Sequence, residues 1–146
     1  MRVAKSGSAV GHSERALAAV KSLHAREGGL LERSSLFDLV AEDVEWFVLG
    51  SPEELPWAGT FRGSDGVRRW MEVLDEHMEY ERFEPLEFFA DGETVVEIVM
   101  AGGRARATGR PFESEVVRIW TFREGKAVRV RSFYDTGAYE RALGRP

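Results

Sequence analysis

Apolar side chains recur at helical spacing along much of the first half of the chain and at alternate positions along the second half. From Ser13 to about Arg26, the positions Ala16, Leu17, Val20, Leu23 and His24 share one helical face, with Ser13 placed to cap the first turn. Gly28-Gly29 ends or loosens that helix. Ser35 and Asp38 form a capping-box-like pair at the start of a shorter one carrying Leu36, Phe37, Leu39 and Val40. Asp43 to Leu49 alternates as a strand, with Val44, Trp46 and Val48 on one face and Glu45, Phe47 and Leu49 on the other. Gly50 to Gly63, broken by Pro52, Pro56 and Gly59, reads as a loop. Ser64 then caps a third helix running to about Met78, whose buried stripe is Val67, Trp70, Met71, Leu74 and Met78.

Beyond Tyr80 the period becomes two. The spans 80–90, 94–108, 111–123 and 126–134 read as strands, with Asp91-Gly92 and Glu124-Gly125 where tight hairpin turns belong. Thr136 to Leu143 closes the chain as a short helix. Helices first and a long antiparallel meander second predict an α+β domain, a cone-shaped curved sheet wrapped around the helices. The open end of such a sheet leaves a cavity suited to a small ligand.

Composition narrows the classes. The 146 residues fit one domain, expected over 13–146 behind a flexible segment 1–12. There is no cysteine, which excludes disulfides and thiolate metal sites. No apolar run approaches a membrane span or a signal-peptide core, so a cytoplasmic location is expected, with no membrane partner. Residues 1–100 hold 10 basic against 20 acidic side chains, and residues 101–146 hold 10 against 5. The basic residues alternate along strands instead of clustering, so they read as the partners of acidic helices and no nucleic-acid surface is expected. His12, His24 and His77 have no metal-ligand spacing, and no nucleophile elbow or phosphate-binding loop is present. No metal and no cofactor are expected.

Three segments carry a resemblance. They are Asp43-Val44-Glu45-Trp46, then Leu55-Pro56-Trp57-Ala58-Gly59-Thr60-Phe61-Arg62-Gly63 with the helix bearing Val67 and Trp70, and the C-terminal runs Thr108 to Glu113, Trp120 to Lys126 and Phe133 to Thr136. In order and spacing they resemble the SnoaL-like branch of the nuclear transport factor 2-like superfamily, over about residues 13–143. That superfamily includes polyketide cyclases, ketosteroid isomerases, limonene epoxide hydrolases, scytalone dehydratases and pure binding modules, so the resemblance implies the fold and a pocket more than a reaction.

The resemblance also implies which side chains line the pocket. Val116, Arg118, Trp120 and Phe122 would point inward on one strand, and Val128, Val130, Ser132 and Tyr134 on the last. Arg118 falls where the cyclases carry a pocket histidine and the isomerases a protonated aspartate. Ser132 falls where the cyclases carry a catalytic aspartate, and Trp46 about where the isomerases hold their carboxylate base. None of the three is a base suited to proton abstraction beside a carbonyl. Arg118 would bind a carboxylate or stabilise an oxyanion, or else pair with a carboxylate such as Glu97. The Tyr134 hydroxyl could donate to a carbonyl, and Asp135 could act as a base or cap the last helix. Trp46, Trp57, Trp70 and Trp120 supply aromatic area, with Trp57 placed for a lid.

The expected function is the binding of a small apolar or aromatic compound with a carbonyl or acidic group, with lyase, isomerase or cyclase chemistry as its enzymatic form. A non-catalytic binding or interaction module is the alternative. Arg118, Tyr134 and Asp135 are the catalytic candidates, with Trp46, Trp57, Trp70, Val116, Trp120, Val130 and Ser132 as ligand contacts. If Arg118 faces inward, then Val117, Ile119 and Thr121, with Val96, Ile98 and Val99, offer an outer apolar face, and a homodimer is expected.

Overall fold

A computed structural model describes residues 6–24 and 33–145 of the chain. Helices α1 (Ser6–Ser22) and α2 (Arg33–Leu39) precede strand β1 (Val40–Val48), the short strand β2 (Gly59–Arg62) and helix α3 (Gly63–His77). The long strands β3 (Met78–Asp91), β4 (Thr94–Ala105), β5 (Pro111–Arg123) and β6 (Lys126–Tyr134) follow, and helix α4 (Thr136–Ala142) ends the fold. The six strands form one curved sheet in the order β2-β1-β6-β5-β4-β3. All neighbours are antiparallel except β1 and β6, which run parallel because the whole meander separates them in sequence.

Several boundaries differ from the sequence expectation. Helix α1 begins at Ser6 rather than Ser13, and the Ser13 hydroxyl, instead of capping, donates to the carbonyl of Gly92 at 3.1 Å. It thus ties α1 to the β3–β4 turn. Arg62, not Ser64, occupies the N-cap of α3, without a side-chain capping bond. The loop expected over 50–63 contains β2, which pairs with β1. Gly28-Gly29 and Arg26 lie outside the described residues.

Two hairpins turn in two residues, and their backbones show why glycine is there. Glu124 and Gly125 both have positive φ, 52° and 80°, as a type I′ turn requires. Gly92 opens the other turn at φ 60°.

The core lies between α3 and the inner face of the sheet. Val67, Trp70 and Met71 of α3 are buried against β1, and Trp46 meets Trp70 with ring centroids 4.8 Å apart. Alternation along β4 buries Val95, Glu97, Val99 and Ala101, leaving Val96, Ile98 and Met100 on the outer face. Val99 is therefore an inner residue with no exposure, contrary to its expected place outside. In β6 the pairing shifts so that Thr121 faces Arg129 while Phe122 faces Ala127. Ala127 takes the inner place expected of Val128, a β-bulge effect.

Candidate functional site

Side chains on the inner face of the sheet stand in rows across the strands. Glu97, Arg118, Ser132 and Val48 oppose one another across β4, β5, β6 and β1. The neighbouring row is Val95, Trp120, Val130 and Trp46, each wholly buried. On the other side stands Val99, Val116 and Tyr134.

A cavity of about 480 Å³ opens over the Arg118 row, walled by α3, the start of β3 and α4. Its surface is mainly apolar and aromatic, from Trp57, Trp70, Met71, Phe83 and Tyr139 among others. Asp75 and Glu79 are the carboxylates among its lining residues, joined by Arg106. Arg106 Nε donates to the Asp75 carbonyl at 2.6 Å, and its Nη1 lies 4.0 Å from Glu79 Oε2.

The inner end of the cavity rests on a buried charge network. Arg118, 3% exposed, donates from Nε to Glu97 Oε1 at 2.5 Å, and Trp120 Nε1 donates to the same oxygen at 3.2 Å. His24, at the end of α1, meets the other oxygen, Nε2 to Oε2, at 2.8 Å. Burial pushes the Glu97 carboxyl up, but the Arg118 charge and the His24 contact outweigh it and hold its pKa below the ordinary 4.5. The Arg118 guanidinium also lies 5.1 Å from the Phe83 ring and 5.4 Å from the Trp120 ring. Among the described residues its Nη2 is buried without a hydrogen-bond partner, as are Nε1 of Trp70 and of Trp46.

Three tyrosines shape the other wall. Tyr134 donates to the Leu49 carbonyl at 2.6 Å and accepts from Trp57 Nε1 at 3.2 Å. Its only proton is therefore engaged, which corrects the expectation that it donates to a ligand carbonyl. Tyr80 and Tyr139 share one hydrogen bond of 3.0 Å, which uses one of their two hydroxyl protons. The other is chemically available as a donor. Burial pushes Tyr80 up to about 12 and raises Tyr134 and Tyr139 as well, so all three are neutral donors and not bases at ordinary pH.

Of the residues singled out in the sequence, Arg118, Tyr134, Trp57, Trp70, Val116 and Ser132 line the cavity. Trp46, Trp120 and Val130 do not. They share the inner face but stand one row deeper, where Trp46 packs edge-on to Trp120 at 6.0 Å and the space is filled. Asp135 is the N-cap of α4, its Oδ1 accepting from Ala138 N at 3.1 Å, so it is not a base in the site. Trp57 is no lid: only 2% exposed, it is pinned by Tyr134 and packed on Tyr139 with ring centroids 5.8 Å apart. His24, Tyr80 and Tyr139 were not among the sequence candidates. Among the described residues no group of His, Asp and Glu is arranged to hold a metal ion, and no helix is long and apolar enough to cross a membrane.

A curved sheet closing over helices around one apolar cavity is the architecture of the NTF2-like α+β proteins. Residues 23–130 match the family model of the SnoaL-like domain, and the chain belongs to that family. An NTF2-like protein from Burkholderia xenovorans LB400 is 34% identical, over 90% of this chain and 97% of its own, with a TM-score of 0.75. One from Burkholderia thailandensis E264 is 26% identical over 90% and 96%, with a TM-score of 0.76. TerC, co-crystallised with polyporic acid, is 23% identical over 91% and 98%, with a TM-score of 0.73, and shares the fold. None of the curated proteins matches the chain by sequence.

Proposed function

We propose that the chain binds a small apolar or aromatic compound in this cavity and holds its carbonyl or acidic oxygen at Arg118. The observation that carries the reading is a buried guanidinium lining an apolar cavity, with a donor, Nη2, that no acceptor among the described residues satisfies. A buried unmet donor is unfavourable, and a ligand oxygen would relieve it. The Tyr80–Tyr139 pair supplies a second donor on the same cavity. TerC, which has the same fold, was co-crystallised with polyporic acid.

If the site does chemistry, it is lyase-, isomerase- or cyclase-like, and it works by stabilising negative charge on oxygen. Trp46 and Ser132, at the expected base positions, abstract no proton, and the lining carboxylates, Asp75 and Glu79, lie at the end of α3 and the start of β3, beside Arg106. That placement favours binding without turnover as the second reading. The fold is also read as a homodimer through the outer face of its sheet.

A matched pair of probes tests the role of Arg118. 1-Anilinonaphthalene-8-sulfonate is an apolar anion, and N-phenyl-1-naphthylamine is its uncharged parent. Arg118→Met should weaken the anion roughly 10- to 150-fold, the loss of one charge-assisted hydrogen bond, and leave the neutral probe nearly unchanged. The double variant Arg118→Met/Glu97→Gln removes both charges and guards against misfolding from an unpaired Glu97. Equal losses for both probes would make Arg118 purely structural.

A further inference from the structure

The charge of the Arg118 row is set by side chains from three elements. Arg118 on β5 is a permanent cation. Glu97 on β4 accepts from Arg118 and Trp120 and meets His24 at the end of α1. With Glu97 ionised, the hydrogen between the pair sits on His24 Nε2, and a neutral ring keeps its lone pair on Nδ1. That Nδ1 is buried and has no hydrogen-bond partner among the described residues. The ring lies flat against Phe83 at 5.9 Å and edge-on to Phe88 at 5.8 Å. Around it, β3 contributes those two rings, β4 contributes Glu97, and Arg118 stands behind Glu97. Lys21, in the last turn of α1, sits 5.5 Å over Phe88.

With His24 neutral, Arg118 and Glu97 cancel. A neutral carbonyl placed at Arg118 leaves that balance intact. An anion placed there adds a buried negative charge with no counter-charge, which is strongly unfavourable. One proton on His24 Nδ1 restores neutrality, and no existing hydrogen bond has to break for it to arrive.

We infer that His24 sets the charge preference of the cavity: an anionic ligand, a carboxylate, enolate or phenolate, binds with uptake of one proton at His24, and a neutral ligand binds without it. His24 is a positioning residue in this scheme, acting on the ligand through Glu97 and Arg118. The inference rests on the reading of Arg118 given above. Because binding takes up a proton, anion affinity rises as pH falls through the range where histidines titrate, about pH 8 to 5.

The test uses the full chain and the same two probes, whose charges do not change in that range. 1-Anilinonaphthalene-8-sulfonate should bind about tenfold tighter for each pH unit of acidification within that range, while N-phenyl-1-naphthylamine shows no slope. Calorimetry in phosphate and in Tris at one pH counts the protons directly: near one for the anion and near zero for the neutral probe. His24→Gln keeps an N–H for Glu97 but cannot titrate, so its anion affinity should be flat with pH. His77 is the rival titrating group, its ring 6.1 Å from that of Trp57 on the cavity wall, and its Nδ1 is bonded to the Val73 carbonyl at 2.8 Å. His77→Gln should keep the wild-type slope. No proton uptake with the anion in the wild type overturns the inference, and so does a slope that survives His24→Gln or disappears in His77→Gln. If His24→Gln does not fold, the wild-type proton counts and the His77→Gln slope still decide it. Failure of the Arg118 reading looks different, since Arg118→Met would then affect both probes alike at any one pH.

Discussion

Glu97 is fully buried yet held as a carboxylate, because an arginine, an indole N–H and an imidazole replace its water. Its pKa is lowered on folding, so it contributes stability above its ordinary 4.5, and that contribution is lost as pH falls through the depressed folded value. Glu97→Gln should cost about 3–5 kcal/mol at neutral pH, since it leaves Arg118 as a buried unpaired cation. The gap between variant and wild type should narrow as the wild-type carboxylate protonates in acid. Urea unfolding at neutral pH and stepwise below 4.5 checks both statements. A gap that stays constant with pH would show that Glu97 does not owe its role to charge. Glu97 was legible in the sequence as a partner of Arg118, because alternation and hairpin order place the two opposite each other. His24 was not. Periodicity gives the face of α1 on which it sits, but its contact with Glu97, 73 residues away, depends on how the helix lies across the sheet.

At the scale of elements, alternation told which side chains point inward but not how deep they stand. Arg118 and Trp120 are both inward on β5, yet one lines the cavity and the other fills the core, because α3 brings Trp70 down on the row of Trp46 and Trp120. Strand β2 escaped a reading by periodicity because four residues among prolines and glycines carry too short a pattern. The junction of β3 and β4 holds another fact that no periodicity reveals. Gly103 lies opposite Tyr80, and a Cβ there would sit 1.9 Å from the Glu79 carbonyl oxygen. Backbone has to move to admit even a methyl group. Gly103→Ala should therefore destabilise by about 1–3 kcal/mol and shift Glu79 and Tyr80, both on the cavity wall. Gly102→Ala is the control, its nearest neighbour being the Phe112 carbonyl at 3.4 Å, an ordinary contact. Urea midpoints should separate the two variants, and equal midpoints would mean that β3 yields freely.

For the whole molecule, the homodimer read above would form through the outer face of the sheet. Val96 and Ile98 on β4, Val117 and Ile119 on β5, Phe133 on β6 and Phe47 on β1 all lie on it, each only partly buried. Phe47 and Phe133 pack ring to ring at 6.0 Å, so the apolar area reaches across four strands, with Arg131 between Ile119 and Phe47 in the same row. Glu45 and Arg129, paired at 3.3 Å, lie beside it as a polar border. A monomer would leave this area in water, whereas two copies placed face to face would bury it symmetrically. A stable pair needs about 1,200 Å² of total buried surface or more, which the breadth of four strands can supply. Light scattering at micromolar concentration should give twice the chain mass. Ile119→Asp, near the middle of the face, should give the monomer with the cavity still binding N-phenyl-1-naphthylamine, because the side chains that line the cavity lie on the opposite side of the sheet. A monomeric wild type would leave the apolar face without a partner of its own kind. Loss of probe binding along with the dimer would mean that the cavity depends on the second copy for its shape.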